Sequence, residues 1–168
     1  MNMDIRNLRT RWINIDKDTT KAEQMVSLLN KNGFTEHERF PAITNTTEFD
    51  ITKEKCEWFG THMCGLSHRK LLKETILNDG KPILILEDDI EVENQHIKFK
   101  LSIPDDADAI YFGISQGDSW YSAKPADLFW VKINKIFSTH AILHINPKYS
   151  ESVVSITENA VKNDKPFD

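Results

Sequence analysis

The sequence predicts an α/β fold, a Rossmann-type sheet with flanking helices in a single domain, on three observations. Strand-like and helix-like segments alternate through the first half of the chain, in the order strand, helix, strand, helix, strand. That order favours parallel strands joined by crossover helices. The run Ile83-Leu-Ile-Leu86 lacks polar alternation and reads as a strand covered on both faces. It leads directly into Glu87-Asp88-Asp89, three carboxylates at a strand's C-terminal end, where open α/β sheets place their ligand sites.

The elements follow in order. Arg11-Trp-Ile-Asn-Ile-Asp16 is a short strand ending at Asp16. The polar stretch 17–20 leads into a helix, and Thr20-Lys-Ala-Glu23 fits a capping box in which Thr20 and Glu23 satisfy the first free N–H groups. Ala22, Met25, Val26 and Leu29 mark one face of that helix, and Asn32-Gly33 stops it. Arg39-Phe-Pro-Ala-Ile43 is a second strand, with Pro41 placing it at an edge or a strand end. Residues 44–58 are polar and Thr-rich and read as a surface loop. A second helix is expected from about Thr61 to Asn78, with Gly80 just past its end, and the acidic strand at 82–88 follows.

The second half is less regular. Ile97, Phe99, Leu101 and Ile103 alternate with polar residues, a strand pattern. Asp108 to Gly113 is a strand that presents Gly113 to a ligand. Residues 115–127, with Gly117, Trp120, Tyr121 and Pro125, read as a long loop, and long loops in compact domains are often binding elements. Phe129–Phe137 and Thr139–Ile145 are further strand candidates joined by a tight connection. A last helix is expected over Ser150–Val161, although Val153, Val154, Ile156 and Thr157 are poor helix formers.

Composition excludes several classes. The chain has 168 residues, enough for one domain with a real core, and 39% apolar and 28% charged residues, ordinary for a globular protein. A net charge of −5 argues against a dedicated nucleic-acid binder. No apolar run approaches the roughly 18 residues of a membrane span, and the N-terminus has no apolar signal core. Two cysteines, Cys56 and Cys64, make no disulfide scaffold and fit a reducing compartment. A cytoplasmic protein, at most peripheral at a membrane, is the expectation.

The chemistry concentrates on the acidic strand end. Three adjacent carboxylates repel one another unless a cation or donor groups come in. A hard divalent ion shared with substrate phosphates satisfies that need; a solvated acidic turn is the bland alternative. Asp16, also at a strand's C-terminal end, is placed by the topology within reach of the same ligand. Ser67 and His68, in a Gly- and Ser-bearing helix start, either set N–H groups against phosphate or pack the helix onto the sheet; packing is favoured for Ser67, and His68 stays open. His140 reads rather as a core residue. Cys56, His62, Cys64 and His68 are zinc-type ligands, but C-x5-H-x-C-x3-H does not match the usual paired spacing, so no zinc site is expected. Asp118 stands in the long loop beside Trp120 and Tyr121. No G-x-x-x-x-G-K-[ST] phosphate loop occurs, which disfavours a phosphoryl-transfer or hydrolytic enzyme built on the same acidic strand end.

Four blocks in order resemble glycosyltransferase family 25, the group with bacterial lipooligosaccharide and collagen galactosyltransferases. They are Trp12-Ile-Asn-Ile-Asp16 with its following helix, Arg39-Phe-Pro-Ala-Ile43, Gly60 to His68 with Cys64-Gly-Leu-Ser-His68, and Ile83-Leu-Ile-Leu-Glu-Asp-Asp89. Softer matches follow at Asp108–Gly113, Thr139–Leu143 and Lys165-Pro-Phe-Asp168. The resemblance implies a GT-A fold over 1–168, short of the C-terminal continuation that family members generally carry. It implies transfer of a hexose, galactose or glucose, with inversion, from a nucleotide-diphosphate sugar such as a UDP-hexose to a glycan, a lipid-linked acceptor or another hydroxyl. The acidic block takes the place of the DxD element. Glu87 and Asp89 are then the contacts for Mn²⁺ or Mg²⁺, with Asp88 nearer the donor ribose or sugar. Asn14, Ile15 and Asp16 lie near the nucleoside, Lys17 and Lys21 replace the arginines the family favours there, and the base for the acceptor hydroxyl is Asp168, with Asp118 the alternative. The rival reading is a catalytically silent member that binds a nucleotide or glycan.

Overall fold

The aliphatic run becomes β4 (Ile83–Glu87), the middle strand of a five-stranded sheet in the computed structural model. The structure describes residues 1–92, 99–112, 124–125, 130–132 and 139–165. β2 (Thr10–Asn14) pairs parallel with β4 on one side and with β3 (His37–Pro41) on its other side. β9 (Ala141–His144) pairs antiparallel with β4, and β6 (Ala109–Tyr111) antiparallel with β9, giving the order β3-β2-β4-β9-β6. The three strands of the first half run parallel, as the βα alternation predicts, and β9 from the second half runs antiparallel to its neighbours and makes the sheet mixed. β9 enters from the opposite direction, so its N-terminal end lies at the C-terminal end of β4.

Both faces of β4 are covered, which is why its residues are apolar without alternation. Leu84 and Leu86 pack with Trp12, Leu143 and, from α1 (Thr19–Lys31), Met25 and Leu29. Ile83 and Ile85 pack on the other face with Leu71 and Leu72 of α2 (Phe59–Glu74), Ile76 of α3 (Ile76–Asp79) and Val154 of α4 (Pro147–Lys162). Each such side chain contributes about 1.5–3 kcal/mol by leaving water.

Local expectations shift in several places. α1 starts at Thr19 and is capped by Asp18, whose Oδ1 accepts from the Lys21 N–H at 3.2 Å, rather than by a Thr20–Glu23 box. Asp18 wins because a carboxylate also complements the helix's positive end. The helix expected over 61–78 begins at Phe59 and breaks at Thr75, whose hydroxyl bonds back to Leu71 O at 2.6 Å. α3 follows the break and ends at Gly80, with φ 71°. α4 runs longer than expected, because Asn146 caps it and Pro147 stands in its first turn. The second strand lies at 37–41 rather than 39–43.

Two short ribbons complete the architecture. β1 (Asn2–Asp4), unrecognised in the sequence, pairs antiparallel with β5 (Lys100–Ser102), the described part of the alternating segment 97–103. β7 (Lys124–Pro125), inside the stretch read as a loop, pairs with β8 (Val131–Lys132). The rest of the expected 115–127 loop, most of the 129–137 strand and its tight connection lie outside the described residues. Among the described residues no helix is long and apolar enough to cross a membrane.

Candidate active site

The three carboxylates at the C-terminal end of β4 turn to different surroundings, with His140 shared between Glu87 and Asp89. Glu87 turns toward α2 and β9. Its Oε1 takes His68 Nε2 at 3.2 Å, the Cys64 thiol at 3.3 Å and the Thr139 hydroxyl, while its Oε2 lies 3.5 Å from His140 Nδ1. Burial pushes the Glu87 pKa up, but the His68 hydrogen bond and charge, with Thr139 and Cys64, outweigh it and hold the group at about 2. The neighbouring Cys64 goes the other way: burial, then the Glu87 charge, pushes its thiol up to about 12.

Asp88 turns to β2 and α1. Because Ile13 lies opposite Glu87 in the parallel ladder, Asn14 falls next to Asp88. Asn14 Nδ2 donates to Asp88 Oδ2 at 2.7 Å, and Lys21 Nζ sits 3.2 Å from Asp88 Oδ1. That hydrogen bond, with the Asp88 charge, raises the pKa of Lys21. Arg39 closes the network from β3: its Nε donates to Asn14 Oδ1 at 2.8 Å and its Nη2 to Asp16 Oδ1 at 2.7 Å.

Asp89 is the carboxylate left facing solvent, with 49% of its side chain exposed against 19% for Glu87 and 16% for Asp88. Its Oδ1 lies 3.3 Å from His140 Nδ1. Glu87, Asp89 and His140 each offer one ligand atom within 4.8 Å of the others. Two carboxylate oxygens and one imidazole nitrogen make a donor set that fits a divalent ion, the oxygens suiting Mg²⁺ and Mn²⁺. A cavity of about 460 Å³ opens beside Asp89 and His140, lined on its deep side by Ile5, Leu29, Phe34, Leu86 and Phe99. Its walls are mostly apolar, so recognition of a polar ligand falls to the strand-end groups.

The remaining expected residues fall in three groups. Asn14, Asp16 and Lys21 join the acidic strand end through the contacts above, and Ile15 is 40% exposed at the end of β2. Ser67 is fully buried; its hydroxyl donates to Met63 O at 2.8 Å and accepts from Ile43 N at 2.9 Å, holding the chain after β3 onto α2. Gly113, Asp118 and Asp168 lie outside the described residues.

Three residues join the site without having been singled out for it. Arg39 is expected from the sequence only as a strand residue; it stands mid-strand in β3, opposite Trp12, and its long side chain reaches Asn14 and Asp16. Thr139 carries none. His140, expected in the core, keeps 45% of its side chain exposed because it precedes β9 at the sheet's edge rather than lying within it. The four zinc-type residues also divide, Cys64 and His68 meeting at Glu87 while Cys56 and His62 meet at Asp164.

No curated protein sequence matches the chain. The profile of glycosyltransferase family 25, described as LPS biosynthesis protein, matches residues 11–163. A match over nearly the whole length establishes the relationship, and with it a glycosyltransferase assignment: the chain belongs to glycosyltransferase family 25.

Proposed function

We propose that this glycosyltransferase moves a hexose, galactose or glucose, from a UDP-sugar to a glycan or lipid-linked hydroxyl, with inversion and with Mn²⁺ or Mg²⁺ at the end of β4. The observation that carries this reading is the sorting of the three carboxylates. Glu87 and Asp88 are held by protein donors, and Asp89 is presented to solvent beside His140. Protein donors thus offset two of the three charges, which leaves Asp89, with His140 beside it, as the carboxylate open to a cation.

Glu87 Oε2, Asp89 Oδ1 and His140 Nδ1 are the atoms to hold the ion, His140 replacing water in a DxD-like arrangement on a GT-A-type sheet. Bound there, the ion neutralises charge growing on the departing diphosphate. His68, Thr139 and Cys64 keep the Glu87 carboxylate ionised and oriented. Asn14, Ile15 and Asp16 line the nucleoside side, and Lys21 sets a cation against the phosphates while keeping Asp88 aligned toward the sugar. Ser67 acts at one remove, by fixing α2. Gly113 is the further substrate contact expected from the sequence, and the acceptor proton passes to a carboxylate, Asp168 or Asp118.

The test is release of UDP from UDP-galactose and UDP-glucose by the full chain, with Mn²⁺, with Mg²⁺ and with chelator. Metal-dependent release that falls by about 10²-fold or more in Asp89→Asn supports the reading. No release with either donor and either metal, in a folded preparation, points instead to a silent member of the family.

A further inference from the structure

A second cluster of ligand-type side chains lies away from the acidic strand end. Cys56, at the end of the 44–58 segment, His62 in the first turn of α2 and Asp164 after α4 converge from three separate parts of the chain. Cys56 Sγ lies 2.7 Å and His62 Nε2 3.1 Å from the same oxygen, Asp164 Oδ1. His62 is fully buried and Cys56 is 8% exposed. His62 and His68 are six residues apart on α2, about 9 Å along its axis, so the cluster is separate from the one at Glu87.

Part of this arrangement is a helix cap. Asp164 also accepts from the backbone N–H groups of Glu57 at 3.1 Å and Trp58 at 3.4 Å, at the start of a helix whose own N-cap residue makes no side-chain hydrogen bond. A cap, however, explains only the carboxylate. It does not require a thiol, which is a weak donor that serine would outperform. Nor does it require an imidazole buried against the same oxygen. Sulfur, imidazole nitrogen and carboxylate oxygen are together the ligand types that bind Zn²⁺.

We infer that Cys56, His62 and Asp164 form a zinc site that ties the segment after α4 to the start of α2. Binding displaces the Cys56 thiol proton to solvent, so the ion is held by a thiolate, a neutral imidazole and a carboxylate, with a fourth position left for water. An ion that binds the folded chain in preference to the unfolded one stabilises it, by an amount that rises with the logarithm of ion concentration over Kd.

The probe is Co²⁺ added to the chelator-treated full chain, read by the thiolate-to-cobalt charge-transfer band in the near ultraviolet and by the melting temperature. The chain has only two cysteines, so Cys64→Ser leaves Cys56 as its sole thiol. The expected result is a band that saturates at one equivalent of Co²⁺, is displaced by Zn²⁺ and persists in Cys64→Ser. Asp164→Asn weakens binding by more than the about 10–100-fold that loss of an outer partner costs. Absence of the band in the wild-type chain at saturating Co²⁺ overturns the inference. So does a band that disappears in a folded Cys64→Ser protein, since it would then belong to the thiol beside Glu87.

Discussion

His68 Nε2 lies 3.2 Å from Glu87 Oε1 and, with the weaker Cys64 thiol on the same oxygen, fixes the acidic end of β4 to α2. Without it, Glu87 would keep Thr139 and Cys64 on that oxygen, two neutral donors, one of them a weak thiol. His68→Ala should therefore destabilise the fold by about 1–3 kcal/mol and lower turnover as well. His68→Gln, which still offers an N–H, should recover part of the stability. Urea unfolding of the three proteins checks this, and equal loss in both variants would assign the effect to packing alone.

Acid stability should fall in two stages. Burial, and to a lesser degree the charge of His68, lowers the pKa of His144 from 6.5 to about 3. Between those values the unfolded chain binds the proton and the folded chain does not, so stability falls as pH falls through that window. Glu87 acts lower: its pKa of about 2 lies below the ordinary 4.5, so its contribution is full above pH 4.5 and lost on the way down to 2. Melting temperatures measured from pH 7 to 3 should show His144→Gln flattening the upper limb and Glu87→Gln the lower one.

Asp18→Ala should cost about 0.5–2 kcal/mol, the ordinary loss of a helix cap. Thr20→Ala and Glu23→Ala should stay within about 0.5 kcal/mol of wild type, as surface substitutions do. Thermal unfolding of the three variants separates the cap seen here from a capping box, which would rank them the other way.

Arg39→Lys should raise the KM for the donor several-fold with little change in kcat. The guanidinium bridges Asn14 and Asp16 with separate nitrogens, and a lysine cannot hold both at once. Asn14→Ala should be worse, because Asp88 loses its 2.7 Å donor and Arg39 its acceptor together. Steady-state kinetics across donor concentrations distinguish the two.

What the sequence made legible was whatever local pattern controls. Ile83-Leu-Ile-Leu86 announced a strand covered on both faces, and both faces are covered. Asp16 and Glu87–Asp89 could be placed at one sheet edge because strands joined by a crossover helix run parallel. Asp18 and Thr20, two residues apart, are both good caps, and local spacing does not choose between them. The rest depends on pairing between distant segments. His140 reaches Asp89 only because β9 runs antiparallel to β4 with Ala141 opposite Leu86, a register that no property of Thr139–Ile145 encodes. Asn2–Asp4 becomes a strand only by meeting Lys100–Ser102. The spacing of Cys56, His62, Cys64 and His68 argued against a common motif, but nothing local could bring Cys56 and His62 together at Asp164, more than a hundred residues away.

The most direct test of the central claim is calorimetric titration of UDP and UDP-sugars into the wild-type chain and Asp89→Ala, each with Mn²⁺ and with chelator. The account predicts binding to the wild type that needs the metal and is abolished by Asp89→Ala. Nucleotide binding that is equally tight with chelator, or unchanged in Asp89→Ala, would contradict it and remove the acidic end of β4 from the donor site.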